Sequence, residues 1–199
     1  MSKPEVLVVA TLWPRYMEAL RKAFTVHDRT HLQDAEQFAT IAPRIRGIAA
    51  SGESKVDAAL MAQLPALEMI SVFGVGYDGV DVAAARARGV PVTNTPDVLT
   101  DEVADLGIAL MLSIARRIPQ ADRFVRDGQW PKGPFPLTRK VSGARLGIVG
   151  LGRIGQAIAD RATGFGMSIA YTTRKRRDDS PYTYYPSAEA LAREVDFLI

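Results

Sequence analysis

The stretch Arg145-Leu146-Gly147-Ile148-Val149-Gly150-Leu151-Gly152-Arg153-Ile154-Gly155 decides how the C-terminal half folds. Arg145–Val149 reads as a strand, and the residues from Arg153 to about Phe165 carry helical spacing. Gly150, Gly152 and Gly155 stand where that strand bends directly into that helix. Gly150 permits a tight turn, Gly152 leaves the backbone open to close approach, and Gly155 lets helix pack on strand. The first amide hydrogens of a helix lack internal acceptors and sit at the positive end of its dipole. Such a turn, including the backbone of Leu151, Arg153 and Ile154, is suited to the diphosphate of a dinucleotide. The competing reading is a glycine-rich turn that binds nothing.

The next strand, Ser168–Thr172, bears on which dinucleotide. A site for NAD usually places Asp or Glu at its end to hold the ribose 2′-hydroxyl. Here the strand runs into Thr173-Arg174-Lys175-Arg176-Arg177, and no carboxylate appears until Asp178. A carboxylate would repel a 2′-phosphate, whereas a guanidinium can grip it with two parallel bonds. Arg174 is therefore assigned to the 2′-phosphate, with Thr173 as hydroxyl donor and Lys175 nearby. NADP, as NADPH, is the expected cofactor, with NAD possible. A solvated basic loop is the competing reading, and it is adopted for Arg176 and Arg177. One short cluster beside a phosphate-binding turn is not an extended basic stripe, so no nucleic-acid partner is expected.

Outward from this turn, short apolar runs alternate with amphipathic segments, the rhythm of parallel sheets covered on both faces. Strands are expected at Val6–Ala10, Ile45–Ala50, Met69–Phe73 and Val90–Thr93, with helices over Pro14–Phe24 and Asp57–Ala62. Asp81 reads as the cap of a helix that runs to Arg88 and ends at Gly89. Asn94-Thr95-Pro96-Asp97 is turn chemistry, and a domain boundary is placed near Val98. A long helix follows from Asp101 to about Arg117, capped by Thr100 or Asp101, with Val103, Leu106, Leu110 and Ile114 as its apolar stripe. Residues from Asp127 to Gly143 read as a connecting loop. A short helix at Ser187–Arg193 precedes Phe197-Leu198-Ile199, read as the third strand of a sheet left half built. The fold expected is α/β, with two Rossmann/flavodoxin-like parallel-sheet domains. Residues 1–98 form the first, and residues 99–199 form a dinucleotide-binding domain incomplete at its C-terminal end, as in a fragment of a longer protein.

Composition narrows the chemistry. The chain has 199 residues, 47% hydrophobic and 24% charged, with a net charge of +3. There is no cysteine, which removes disulfides and thiolate metal sites. With only His27 and His31, a His-rich metal site is disfavoured. No segment has the length of a membrane span or the pattern of a signal peptide, so a cytoplasmic location without membrane partners is expected.

The second chemistry-bearing segment is Ser71-Val72-Phe73-Gly74-Val75-Gly76-Tyr77-Asp78. Two glycines around Val75, just past a strand, can turn successive amide hydrogens toward one point and bind a carboxylate. A simple turn fits the same residues.

The order Phe73-Gly74-Val75-Gly76-Tyr77-Asp78-Gly79-Val80-Asp81, then Gly89-Val90-Pro91-Val92-Thr93-Asn94-Thr95-Pro96, resembles the D-2-hydroxyacid dehydrogenases. Val98-Leu99-Thr100-Asp101-Glu102-Val103-Ala104-Asp105 and the Gly150–Gly155 turn extend the match. Within that family the chain is most similar to the glyoxylate/hydroxypyruvate reductases, where a Ser/Thr-Arg pair after the second strand goes with NADP. The resemblance implies a substrate domain made of the N-terminal part plus a C-terminal segment, with the cofactor domain inserted between them. It also implies that Val75 and Gly76 hold the substrate carboxylate, that Thr100 lies near the nicotinamide, and that the long helix and the Trp130 loop support a homodimer. The reaction implied is hydride transfer from NADPH to a short 2-oxoacid, glyoxylate or hydroxypyruvate, giving the D-2-hydroxyacid.

The family's substrate-orienting arginine, and its proton-supplying histidine with a paired glutamate, are all expected after Ile199. No catalytic residue is therefore assigned within the chain. His27, taken to follow the second strand, and His31, taken to lie in the loop after it, read as surface histidines. The alternative to an enzyme is a dinucleotide-binding regulator, since a corepressor branch of the family also binds these cofactors.

Overall fold

The structure, a computed structural model, describes residues 2–199 and divides into two compact units, one ending at Val98 and one running from Leu99 to Ile199. In the first unit the strands are β1 (Glu5–Val8), β2 (Thr25–Asp28), β3 (Ile45–Ser51), β4 (Met69–Phe73) and β5 (Val92–Thr93). They are interleaved with helices α1 (Pro14–Ala23), α2 (Thr30–Gln33), α3 (Ala35–Ile41), α4 (Ala58–Ala62) and α5 (Val82–Ala87). The sheet is parallel, in the order β2-β1-β3-β4-β5. Leu7 packs into one core with Ile48, Phe38 and Leu60, while its neighbours Val6 and Val8 pack on the opposite face with Leu12 and Met17. Cover on both faces explains why the strands read as apolar runs rather than as alternating patterns.

Several boundaries move. The first strand is Glu5–Val8 rather than Val6–Ala10, although the Val9 amide still donates to the Ala49 carbonyl at 3.0 Å. The last strand shrinks to Val92–Thr93. Asp81 caps α5 by accepting from the Ala84 amide at 2.9 Å, and Gly89 follows that helix at φ +69°. His27 lies inside β2 rather than after it, and His31 lies in α2 rather than in a loop.

The second unit holds α6 (Thr100–Arg116), α7 (Ile118–Arg126), β6 (Arg145–Val149), α8 (Arg153–Thr163), β7 (Ser168–Thr172), β8 (Thr183–Tyr184), α9 (Ala188–Ala192) and β9 (Phe197–Leu198). Its sheet is parallel, in the order β8-β7-β6-β9. Phe197–Leu198 is thus the fourth strand, on the far side of β6; the third is the two-residue β8, too short to carry a sequence pattern. Helix α7 is a further element without a counterpart in the sequence pattern. It is separated from α6 by Arg117 in the left-handed conformation at φ +52°.

One expectation about α6 fails. Neither Thr100 nor Asp101 caps it: the helix begins a residue early, with Leu99 at the cap position and no side-chain cap bond. Asp101 instead accepts from Arg161 at 3.0 Å. The stripe Val103, Leu106, Leu110 and Ile114 faces outward, at 41%, 57%, 54% and 77% exposure, while Ala104, Ile108, Met111 and Ala115 face the core. The reason is the close approach of α8. A β-carbon on Gly107 would lie 3.2 Å from Ile158, so the packed face favours small residues. Arg161 of α8 fastens the pair through Asp105 at 2.5 Å as well as Asp101.

Candidate functional site

At the end of β6 the three glycines have separate structural reasons. Gly150 adopts φ +102°, a region strained for any residue with a β-carbon, and its amide donates to the Thr172 carbonyl at 2.9 Å. Gly155 is buried, and a β-carbon there would collide with the Gly150 carbonyl oxygen. Gly152 caps α8 and is open, with nothing within 4 Å of the place a β-carbon would take. The Gln156 amide, donating to the Gly152 carbonyl at 2.8 Å, makes the first full helical turn. Helix geometry leaves the amide hydrogens that precede it without such an acceptor.

An open depression of about 930 Å³ begins at this turn, with Val149 to Gly152 on one wall, Thr172 to Lys175 on the other, and Ala188 at its edge. It lies past the carboxyl ends of β6 and β7, beside the point where the strand order reverses between β6 and β9. Open parallel sheets bind ligands in that kind of crevice. Its walls suit a dinucleotide: bare backbone on one side and cationic side chains on the other.

The assigned residues do not all line it. Gly150, Leu151, Gly152, Thr173, Arg174 and Lys175 do, whereas Arg153, Ile154 and Gly155 are not part of the lining. Ile154 packs against the core, and Arg153 is exposed. Thr100, half-buried as the first residue of α6, is not part of the lining either. Thr173 does not offer its proton to the depression: its hydroxyl donates to the Lys175 carbonyl at 2.5 Å and closes the loop. Arg174 and Lys175 are exposed and engage no side-chain partner among the described residues. Arg177 departs from the solvated reading. Its guanidinium donates to the Leu151 carbonyl at 3.0 Å and grips Asp179.

In the first unit, Val75 and Gly76 lie in the exposed loop after β4. The carbonyl of Gly74 accepts from the Thr95 amide at 2.9 Å, and that of Val75 accepts from the Asn94 side chain at 2.8 Å. A planar trans peptide points its N–H opposite to its carbonyl. Anchoring these two carbonyls turns the amides of Val75 and Gly76 the other way, and neither has a hydrogen-bond acceptor among the described residues. Two adjacent free amides form a concavity that suits a carboxylate. Asn94, assigned only to a turn from sequence, is the side chain that fixes this geometry. Interlocking with the loop after β3 supports it: a β-carbon on Gly79 would strike the Ser54 carbonyl, and one on Gly52 would lie 2.9 Å from the Gly76 carbonyl.

The histidines are half-buried rather than on the surface, and both are tied into structure. His27 Nε2 lies 2.8 Å from Glu5, which also binds Arg44 at 2.6 Å; hydrogen bonding to Arg44, then to His27, holds the Glu5 carboxyl below its ordinary pKa. His31 packs against Phe38 with ring centroids 6.0 Å apart, and burial lowers its pKa. Among the described residues no cluster of His, Asp or Glu could hold a metal ion, and no helix is long and apolar enough to cross a membrane.

Comparison with known proteins extends this geometry. Residues 6–194 match the family model described as D-isomer specific 2-hydroxyacid dehydrogenase, catalytic domain. The chain is 44% identical over its full length to a protein named 2-ketogluconate reductase from Gluconobacter oxydans, of which it covers 63%. Over 78% of its length it is 47% identical to a glyoxylate/hydroxypyruvate reductase A of Arabidopsis thaliana, of which it covers 50%. Among solved structures, it aligns over 99% of its length, at 46% identity and a TM-score of 0.87, with an NADPH-dependent glyoxylate/hydroxypyruvate reductase of Sinorhizobium meliloti in complex with NADP and malonate. It covers 61% of that chain. The alignment with a 2-hydroxyacid dehydrogenase of Ketogulonicigenium vulgare gives a TM-score of 0.91 at 48% identity and covers 63% of that chain. The chain therefore spans between 50% and 63% of the length of these relatives, and it belongs to the D-isomer specific 2-hydroxyacid dehydrogenase family.

Proposed function

We propose that the whole protein is an NADPH-dependent reductase of short 2-oxoacids, glyoxylate or hydroxypyruvate first among them, that yields the D-2-hydroxyacid. The observation that carries this is the depression with the Gly150–Gly152 turn, whose Leu151 and Gly152 amides have no acceptor among the described residues, on one wall and Arg174 and Lys175 on the other. Relatives named for NADPH, glyoxylate and hydroxypyruvate support the same reading. All the relatives cited carry reductase or dehydrogenase names, which favours an enzyme over a regulator.

The nicotinamide, when bound, supplies the hydride. The turn and the amino end of α8 bind the diphosphate through backbone amides and the helix dipole. Arg174, with Lys175 nearby, binds the 2′-phosphate that distinguishes NADP from NAD. The amides of Val75 and Gly76 hold the substrate carboxylate, and Thr100 borders the nicotinamide. The proton that accompanies hydride comes from a residue after Ile199. In this scheme residues up to Val98 belong to the substrate domain and the rest to the cofactor domain.

The protein acts as a homodimer through the outward face of α6. Val103, Leu106, Leu110 and Ile114 line one helix face, and Trp130 and Leu137 are also exposed apolar residues of this unit. An apolar stripe of this kind on a helix favours a self-complementary contact.

Glyoxylate or hydroxypyruvate should accelerate NADPH oxidation by the full-length protein, and Arg174→Ala should weaken NADPH binding about 10- to 100-fold while changing NADH binding little. No turnover with any short 2-oxoacid would refute the activity, and equal effects on both cofactors would refute the 2′-phosphate assignment. Sedimentation of the full-length protein tests the dimer: Leu110→Glu should yield monomers, and an unchanged mass would place the contact elsewhere.

A further inference from the structure

Arg177 ends the basic run, and its contacts join three parts of the second unit. Its Nη1 donates to the Leu151 carbonyl at 3.0 Å, inside the turn after β6. Its Nε and Nη2 donate to the two carboxylate oxygens of Asp179 at 3.1 and 2.8 Å, which holds the guanidinium plane. Its backbone is pinned to the end of β7 by the hydroxyl of the buried Tyr171. That hydroxyl accepts from the Arg177 amide at 3.0 Å and donates to the Arg177 carbonyl at 3.1 Å.

The loop from Thr173 to Arg176 is therefore closed at its far end by the Tyr171–Arg177 bonds, and Arg177 reaches back to the glycine turn. The Leu151 carbonyl and the Gly152 amide share one planar peptide and point in opposite directions. A bond that holds the carbonyl therefore also sets the direction of the amide hydrogen.

We infer that Arg177 is a positioning residue for cofactor choice, holding the Gly150–Gly155 turn and the Thr173–Lys175 loop at the spacing at which diphosphate and 2′-phosphate are bound together. This rests on the NADPH reading above. A cofactor without the 2′-phosphate needs the turn but not the loop. The turn keeps other supports, the Gly150 amide on the Thr172 carbonyl at 2.9 Å and the contact of Gly155 with Gly150. Loss of Arg177 should therefore fall mainly on NADPH.

The test is fluorescence titration of the full-length protein with NADPH and with NADH, alongside thermal unfolding. Arg177→Ala should raise the Kd for NADPH about tenfold and that for NADH less than about threefold. Arg177→Lys should restore only part of the loss, because an ammonium cannot fork onto Asp179 and still reach Leu151. Asp179→Asn, which leaves Arg177 in place, should shift the preference in the same direction by a smaller factor, and it serves if Arg177→Ala fails to fold. Equal losses for both cofactors, or none, would overturn the inference. Arg174→Ala separates the two levels. If it shifts the preference while the Arg177 and Asp179 variants do not, only the positioning role fails. If it does not shift the preference, the 2′-phosphate reading fails with it.

Discussion

The side-chain amide of Asn94 donates to the carbonyl of Val75 at 2.8 Å, across the gap between the loops that follow β5 and β4. That bond orients the Val75–Gly76 peptide, and with it the amide proposed to hold the substrate carboxylate. Asn94→Ala should raise KM for the 2-oxoacid about 3- to 10-fold, the worth of one hydrogen bond, with the Kd for NADPH unchanged. Steady-state kinetics beside a cofactor titration would check this. An unchanged KM would mean that the peptide holds its orientation without Asn94.

Gly155 faces the carbonyl of Gly150 so closely that no side chain fits. The obstacle is backbone, which cannot swing aside as the tip of a side chain would. Gly155→Ala should destabilise the fold by about 1–3 kcal/mol and weaken binding of both cofactors together. Thermal unfolding of the variant checks this, and an unshifted midpoint would contradict the packing described.

Asp196 precedes β9 and binds Arg145 of β6, accepting from its side chain at 3.2 Å and its backbone amide at 3.0 Å. Hydrogen bonds from Arg145 side chain and backbone lower its pKa from 3.8 to about 2. A carboxyl depressed in the folded state contributes stability that is present above 3.8 and lost as pH falls toward about 2. Asp196→Asn should reduce stability at neutral pH and flatten the acid dependence in that window. Urea unfolding at several pH values would show it, and parallel curves for the two proteins would refute it.

His31 also favours its deprotonated form in the folded state, but through burial rather than through a partner. Its ring nitrogen Nδ1 is buried without a partner, and burial lowers its pKa below 6.5. The unfolded chain then binds the proton more readily, so stability should fall as pH drops through about 6.5. His31→Phe should remove that part of the pH dependence. If the variant titrates like the original protein, His31 has no such role.

Both parallel sheets and the glycine turn were legible in the sequence because their signals are local: apolar runs bounded by turns, a carboxylate at the start of α5, glycines at fixed offsets. The face of α6 was not. The apolar stripe could be read but not the direction it faces; the near approach of α8 at Gly107 places Ala104 and Ala115 inward and leaves Leu110 and Ile114 outside. The roles of Asn94 and Arg177 were hidden for a related reason. Each acts on a carbonyl distant in sequence, Val75 and Leu151, and nothing in the local composition marks such a pairing. Strand β8 escaped because two residues cannot display a period.

The most direct test is a crystal structure of the full-length protein with NADPH bound. Diphosphate oxygens should lie about 3 Å from the backbone nitrogens around Gly152, with the 2′-phosphate against Arg174. A diphosphate bound away from that turn would contradict the account.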